Sequence, residues 1–377
     1  MPLALRLASR NLFHDGLRFV ATMIGIVFSV VLVMVQMGLY MGFARMVTTM
    51  IDHASADLWV VPHGAKSFED MSVLDMDSQR KVMAIKGVAK AIPVVIGFSG
   101  WRMPGGEMTP VFVVGADLAS GGLKPWNVIE GAAQALAEPG AVAADRSYFE
   151  RLGISGIGAA GEIRGHKVRI AAVSDGIRSF TTTPYIFAEL GPARSYIGLP
   201  SSKASDLLVQ LETGSDASLV RREIQSNIPG VDVLTPEEFR SRSRSFWLFG
   251  TGAGAALFAG ALLGVIVGTV IVAQTLYSST KDHLTEFATL RAIGCSNRYI
   301  YRVIRYQALI NAVIGFCIAS LIGAIVVKVT AESALPIVIT PGLVLGLFIL
   351  TILMCTASAL LAIARVTRTD PVMVLMR

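Results

Sequence analysis

The sequence predicts an α-helical membrane protein with four transmembrane helices and a mixed α+β extracytoplasmic domain. Three observations carry that reading. Only 16% of the 377 residues are charged while 53% are hydrophobic, and the mean hydropathy is +0.60; soluble domains carry roughly a quarter charged residues. The apolar residues gather into four long stretches without Asp, Glu, Lys or Arg. The surplus of basic residues falls on alternate connecting segments, as it does in a multi-pass topology.

Residues 1–18 come first. Leu3, Leu7, Phe13 and Leu17 recur at helical spacing against Arg6, Arg10 and Arg18, the pattern of an interfacial helix lying on a membrane. Residues 19–44 form the first span, with Thr22, Ser29, Gln36 and Tyr40 as its polar members. This run is about twice as long as the apolar core of a signal peptide and no small-residue cleavage motif closes it, so it reads as a retained helix. A domain of roughly 200 residues, 45–244, follows.

The second uncharged run, residues 245–280, would extend about 54 Å as a helix, well beyond the hydrocarbon thickness. It must project from the membrane or break, and Gly250, Gly252 and Gly254 make a break inexpensive near its start. A loop at 281–305, a span at 306–327, a short loop at 328–340, a span at 341–364 and a tail at 365–377 complete the chain. Each span reaches the roughly 20 residues that a bilayer requires.

Charge orients these spans. The N-terminal segment, the 281–305 loop and the tail together carry +7, while the large domain with the 328–340 loop carries −1. The positive segments belong in the cytoplasm and the domain outside it, which puts both termini inside. The basic balance therefore reports topology and gives no reason to expect nucleic acid. Cys295, Cys317 and Cys355 all lie outside the large domain, so it has no disulfide framework.

Within residues 45–244, β-rich runs alternate with turn clusters at Ala56–Val61, Ala91–Phe98, Pro110–Gly115, Lys167–Val173 and Leu207–Leu211. A helix near Asp216–Asn227, a strand at Val231–Leu234 and a helix beginning at Thr235 make a β-α-β-α unit. Trp101–Glu107, with Pro104-Gly105-Gly106, is a hairpin tip. Catalytic or metal chemistry finds no support. Asp52, His53, Asp57 and His63 lack metal-ligand spacing, and Gly153-Ile154-Ser155-Gly156 does not complete a nucleophile elbow. No phosphate-binding loop occurs, so the chain is expected to be a non-catalytic subunit that binds no cofactor itself.

Ala256, Gly260, Gly264 and Gly268 place small side chains along one face of the second span, either a dimer interface or a packing face within the same chain. The loop after that span reads Glu286-Phe287-Ala288-Thr289-Leu290-Arg291-Ala292-Ile293-Gly294, a short amphipathic helix with a glycine stop. This loop, the four-span layout, the domain after span one and Asp370-Pro371 in the tail resemble the MacB/FtsX-like permease family of ABC transporters. Ala56-Asp57-Leu58, Ala144-Asp145-Arg146-Ser147 and Gly161-Glu162 are most similar to its DevC-like exporter permeases.

The resemblance covers nearly the whole chain and implies a type VII ABC exporter subunit in a bacterial inner membrane. Glu286, Leu290, Arg291, Ala292 and Gly294 would form the coupling helix that engages a separate ATPase carrying ATP and Mg. The implied partners are that ATPase, a second permease copy, a periplasmic adaptor with an outer-membrane channel, and membrane lipid. Trp101 and Trp126 are candidate adaptor anchors, because exposed aromatics dominate interfaces. The same family also implies two alternatives, an FtsX-like regulator of an envelope hydrolase and a LolC-like permease that extracts lipoprotein or lipid. The family pattern places Glu near the start of the third span, where this chain has Gln307.

Overall fold

The structure, a computed structural model, describes residues 3–14, 16–282, 297–331, 333 and 336–367. Its contacts divide the chain into two compact units, one of helices and one built on a sheet, with boundaries at residues 42/43 and 254/255 and a short return of the sheet unit at Ser333.

Helix α1 (Leu3–His14) precedes α2 (Gly16–Met46), whose stretch Phe19–Met46 is long and apolar enough to cross a bilayer. A short helix α3 (Thr49–Asp52) then leads into the sheet unit. Its elements are β1 (Leu58–Pro62), β2 (Leu74–Asp75), α4 (Asp77–Met83), β3 (Val88–Arg102), β4 (Met108–Ala116), β5 (Val128–Gly131), β6 (Ala141–Asp145) and α5 (Phe149–Leu152). Next come β7 (Ala160–Ile163), β8 (His166–Ser174), β9 (Tyr185–Glu189), α6 (Leu190–Ile197), β10 (Lys203–Ala204), β11 (Asp206–Leu211), α7 (Ala217–Asn227), β12 (Val231–Leu234) and α8 (Pro236–Ser245).

The large sheet runs β12-β1-β11-β3-β4-β9-β6-β8-β5, and β7 bonds to both β3 and β8. The path β3-β4-β9-β6-β8-β7 therefore returns to β3 and closes six strands into a ring. The pairs β4–β9 and β6–β8 are parallel; the other pairs are antiparallel. Period-2 alternation divides each strand between two cores. Val111 and Val113, Val142 and Ala144, and Ile186 and Ala188 join one cluster with Trp101. Phe112 and Val114, Ala141 and Ala143, and Tyr185 and Phe187 join the other with Trp59 and Phe239. With both faces covered, these strands read as nearly unbroken apolar runs.

The hairpin tip lies at 103–107 between β3 and β4, with Gly106 at φ 90°, a conformation that suits glycine. The unit from β11 to α8 follows the sequence pattern closely. Asp216 caps α7 by accepting from the Ser218 amide. Thr235 and Glu238 form a reciprocal capping box at the start of α8, so two otherwise orphan amides are satisfied.

Beyond α8 the helix widens into a π-helical turn at Phe246–Gly250, and the chain bends at Thr251 and Gly252, where Gly252 has φ 77°. Helix α9 (Ala253–Asp282) begins after this break, so the long uncharged run consists of two segments rather than one rod. Helices α10 (Asn297–Thr330) and α11 (Pro341–Thr367) follow. With α2 they supply the four apolar helices, the other three candidate stretches being Ala253–Gln274, Tyr301–Thr330 and Pro341–Leu360.

Inside the helical unit, α2 packs against each of α9, α10 and α11. Ser29 Oγ donates to Gly264 O at 2.9 Å and approaches Met354 Sδ at 3.8 Å. Cβ atoms built at Gly315 and Gly323 would meet Ile26 and Met34. Ser358 Oγ donates to Thr269 O at 3.1 Å, linking α11 to α9.

Candidate functional site at the root of the sheet domain

Two chain segments enter the sheet unit, the end of α2 and the turn after α8, and an aromatic cluster gathers at both. Phe43, Met46 and Val47 pack with Phe180 and Trp247. The Phe180 ring lies 5.4 Å from Phe43 and 4.5 Å from Trp247, with edge-on geometry in each case, an arrangement that rings favour. Phe180 is carried on the loop between β8 and β9, and that loop is strapped down by buried polar groups. Asp145 accepts from the Ile177 amide at 2.7 Å and from Ser174 Oγ at 3.0 Å, and Tyr148 Oη accepts from the Ser179 amide at 2.8 Å. Arg178 adds a bond to Ser333 O at 3.0 Å.

Beside the cluster, Trp247 Nε1 donates to Glu69 Oε2 at 3.2 Å and Tyr185 Oη donates to Glu69 Oε1 at 3.3 Å. Burial pushes the Glu69 carboxyl up to about 7, against the lowering effect of its hydrogen bonds. Burial also holds Asp206 well above the usual carboxylate range, helped by the nearby Asp70 and Glu69. Glu69 and Asp206 thus both hold a proton more readily than free carboxyls do.

Helix α8 is fixed to the sheet by a second set of contacts. Arg240 Nε donates to Asp52 Oδ1 at 2.6 Å, and Thr48 Oγ1 donates to Asp52 Oδ2 at 2.9 Å. Arg242 Nη1 reaches Asp232 at 2.6 Å and Ala65 O at 3.1 Å, while His63 Nδ1 lies 2.8 Å from the other Asp232 oxygen. Burial would raise Asp232, but the Arg242 and His63 bonds outweigh it and lower the carboxyl. On its inner face α8 inserts Phe239, fully buried with its ring 5.1 Å from Trp59. Arg221 completes the set by donating to Glu238 at 2.8 Å. One helix is thereby held to α3, β1, β12 and α7 together.

The residues singled out in the sequence fall in several places. Trp101 is 0% exposed, with its Nε1 donating to Leu152 O at 2.9 Å and its ring against Gly161. It is a core residue and presents no face to a partner, because β7 closes the ring over it. Trp126 is half-buried and stacked on His53 at 3.8 Å. Gly260, Gly264 and Gly268 face Gln36, Val33 and Ser29 of α2, so these three serve packing within the chain, while Ala256 is exposed. Gln307 is buried in α10. Glu286, Leu290, Arg291, Ala292 and Gly294 lie outside the described residues.

The Asp52, His53, Asp57 and His63 group has structural partners instead of a shared ligand. Asp52 holds Arg240, His53 stacks on Trp126, Asp57 accepts the Leu211 amide, and His63 meets Asp232. No metal-type cluster occurs among the described residues. Glu69, Phe180, Tyr185 and Trp247 carried no local sequence signal, since their contact joins residues more than a hundred positions apart.

Four bilayer-length apolar helices joined to a mixed sheet domain make this a polytopic membrane protein. Known proteins narrow the class. Residues 19–227, more than half of the chain, match the MacB-like periplasmic core domain, and residues 248–371 match the FtsX-like permease C-terminal. The chain belongs to the MacB/FtsX-like family of ABC transporter permeases. It is 26% identical over 374 residues to an "Uncharacterized ABC transporter permease" of Mycobacterium tuberculosis, in strain CDC 1551 / Oshkosh and in strain H37Rv, covering 97% of both chains each time.

Among solved structures, the periplasmic region of MacB from Actinobacillus actinomycetemcomitans aligns with a TM-score of 0.40 at 8% identity, over 51% of this chain and 94% of that one. The extracellular domain of the transporter YknZ from Gram-positive bacteria aligns with a TM-score of 0.35 at 15% identity, over 48% and 99%. As an ABC transporter permease, the chain works with an ATPase partner.

Proposed function

We propose that this chain is the permease subunit of an ABC exporter and transmits ATP-driven motion of a cytoplasmic ATPase to its extracytoplasmic sheet domain. The carrying observation is the way α8, which immediately precedes the second span in sequence, is locked to the sheet through Arg240, Arg242, Glu238 and Phe239. A helix held at so many points passes displacement into the sheet instead of sliding over it. The uncharged runs supply a second support, since none contains Asp, Glu, Lys, Arg or His, whereas a route for hydrophilic cargo through lipid needs satisfied polar groups along it.

In this reading the protein sits in a bacterial inner membrane with both termini cytoplasmic. It works as a pair with a second copy, and ATP and Mg are bound by the ATPase alone. Residues 281–300 dock the ATPase through Glu286, Leu290, Arg291, Ala292 and Gly294, and the sheet domain engages an adaptor leading to an outer-membrane channel. Trp126 remains a candidate adaptor contact. The test is copurification and ATP hydrolysis in reconstituted complexes. The full chain alone should hydrolyse no ATP, and Glu286→Lys or Gly294→Pro should release or uncouple the ATPase while the sheet domain stays folded. Normal ATPase binding and transport by both variants would refute the docking assignment.

A further inference from the structure

A cleft of about 800 Å³ opens on the sheet unit along the outer face of α8 and its π-helical continuation. Its volume lies in the range that holds a molecule of several hundred daltons. One end is polar and cationic, lined by Arg221 and Arg242, and Lys66 lies beside Phe246. The other end is apolar, lined by Phe246 and Phe249, and Phe249 is 68% exposed. Ser241, Ser245 and Phe249 lie four residues apart on the same face, so the cleft passes from hydroxyl and guanidinium groups to bare aromatic surface along one line.

The lining itself carries three cations, Lys66, Arg221 and Arg242, against one acid, Glu238, with Asp232 and Asp70 beside it. Glu238 also lines the cleft and is neutralised by Arg221 at 2.8 Å. Asp232, beside the cleft, is shared between Arg242 and His63. Lys66 Nζ sits 5.4 Å above the Phe246 ring, an arrangement that leaves an ammonium free to bind an anion while its stem covers the aromatic. The apolar end is tied to the lipid by the chain itself. Phe249 lies four residues before Ala253, where the second span starts, so it stays within about 14 Å of that residue at full extension.

We infer that this cleft binds an anionic membrane phospholipid, with its phosphate at Lys66 and Arg221 and the first methylenes of its chains over Phe246 and Phe249. Neither a purely ionic ligand nor a purely apolar one uses both ends of the cleft. Bound there, the lipid would occupy the outer face of the helix that leads into the second span. The inference stands independently of the export reading, because it needs only the cleft and the adjoining span.

The experiment is native mass spectrometry of the full-length chain titrated with phosphatidylglycerol, phosphatidylcholine of the same chain length, or inorganic phosphate. Phosphatidylglycerol should bind in preference to phosphatidylcholine. Affinity should fall about fivefold for each cation removed in Lys66→Gln and Arg221→Gln and be retained in Lys66→Arg. Phe249→Ser should weaken the lipid without altering any phosphate competition. Thermal melting of each variant separates lost binding from lost folding, and Lys66→Arg keeps the test decisive if a neutral variant unfolds. Equal binding of both lipids, or unchanged affinity in the folded double variant, would overturn the inference. Free phosphate competing as strongly as the lipid would also overturn it, by reducing the cleft to a simple anion site.

Discussion

Replacing Glu69 by Gln tests the root of the sheet domain at a single atom pair. Gln keeps the shape, can accept from Trp247 Nε1 and can donate to the Tyr185 hydroxyl. The folded carboxyl titrates at about 7 against an ordinary value of 4.5. The folded protein therefore holds a proton that the unfolded chain releases, so this group's contribution is most favourable at low pH and is lost as pH rises from about 4.5 through 7. The full separation corresponds to roughly 3 kcal/mol at 1.36 kcal/mol per unit. Glu69 keeps partial contact with solvent, and screening reduces the expected effect to about 1–2 kcal/mol.

Wild type and Glu69→Gln should then melt together at about pH 4, below the ordinary carboxyl value. At pH 8.5 the variant should be the more stable by about 2–8 °C for a unit of this size. Intrinsic tryptophan fluorescence of the full chain in nanodiscs reads both the melt and the Trp247 environment. An equal gap at the two pH values, or a less stable variant at pH 8.5, would refute the buried-proton account.

Phe239→Ala should destabilise the sheet unit by about 3–5 kcal/mol, because the ring is fully buried against Trp59; a thermal shift below that of a surface control would count against it. Gly268→Ala gains about 1 kcal/mol of helix propensity, yet its methyl would overlap Ser29 Oγ. Overpacking should win by about 1–3 kcal/mol, whereas Gly346→Ala, with open space at its Cβ position, should be tolerated, both read from melting in detergent. For topology, in a background with Cys295, Cys317 and Cys355 replaced, a cysteine at Ser201 should react with an impermeant maleimide in spheroplasts and one at Ser296 should not. The reverse labelling would invert the charge-based orientation.

Legibility followed the range of the interactions. The four spans, the hairpin tip at Pro104-Gly105-Gly106 and the Thr235 capping box each depend on residues close in sequence, and each could be read directly. The break at Gly252 was visible as a glycine cluster. Trp101 was not legible, because a tryptophan between Gly100 and Arg102 near a turn looks exposed until β7 arrives from sixty residues away to cover it. The Glu69–Trp247 contact was hidden for the same reason. Asp52 illustrates a subtler miss, since its partner Arg240 lies 188 positions on, and its neighbours in sequence show only that metal-ligand spacing is lacking. The small-residue stripe announced a close helix approach but could not name the partner, which the Ser29–Gly264 bond supplies.

Strand β3 has a mechanical consequence. Its first half, Val88–Val94, is paired to β11, while its second half, Val94–Arg102, is paired to β4 and at its end to β7. One fifteen-residue strand is thus a beam shared by the open wing and the closed ring. A pull on α8 enters the wing at β12 and β1, and the strand ladder carries it to the ring through this beam. Tension directed along its axis loads the ladder bonds simultaneously, as rivets in a lap joint, while tension across it would open them one after another. The ring and the wing can therefore tilt as a single lever, and the weakest direction of that lever is a peel of β11 from the N-terminal half of β3.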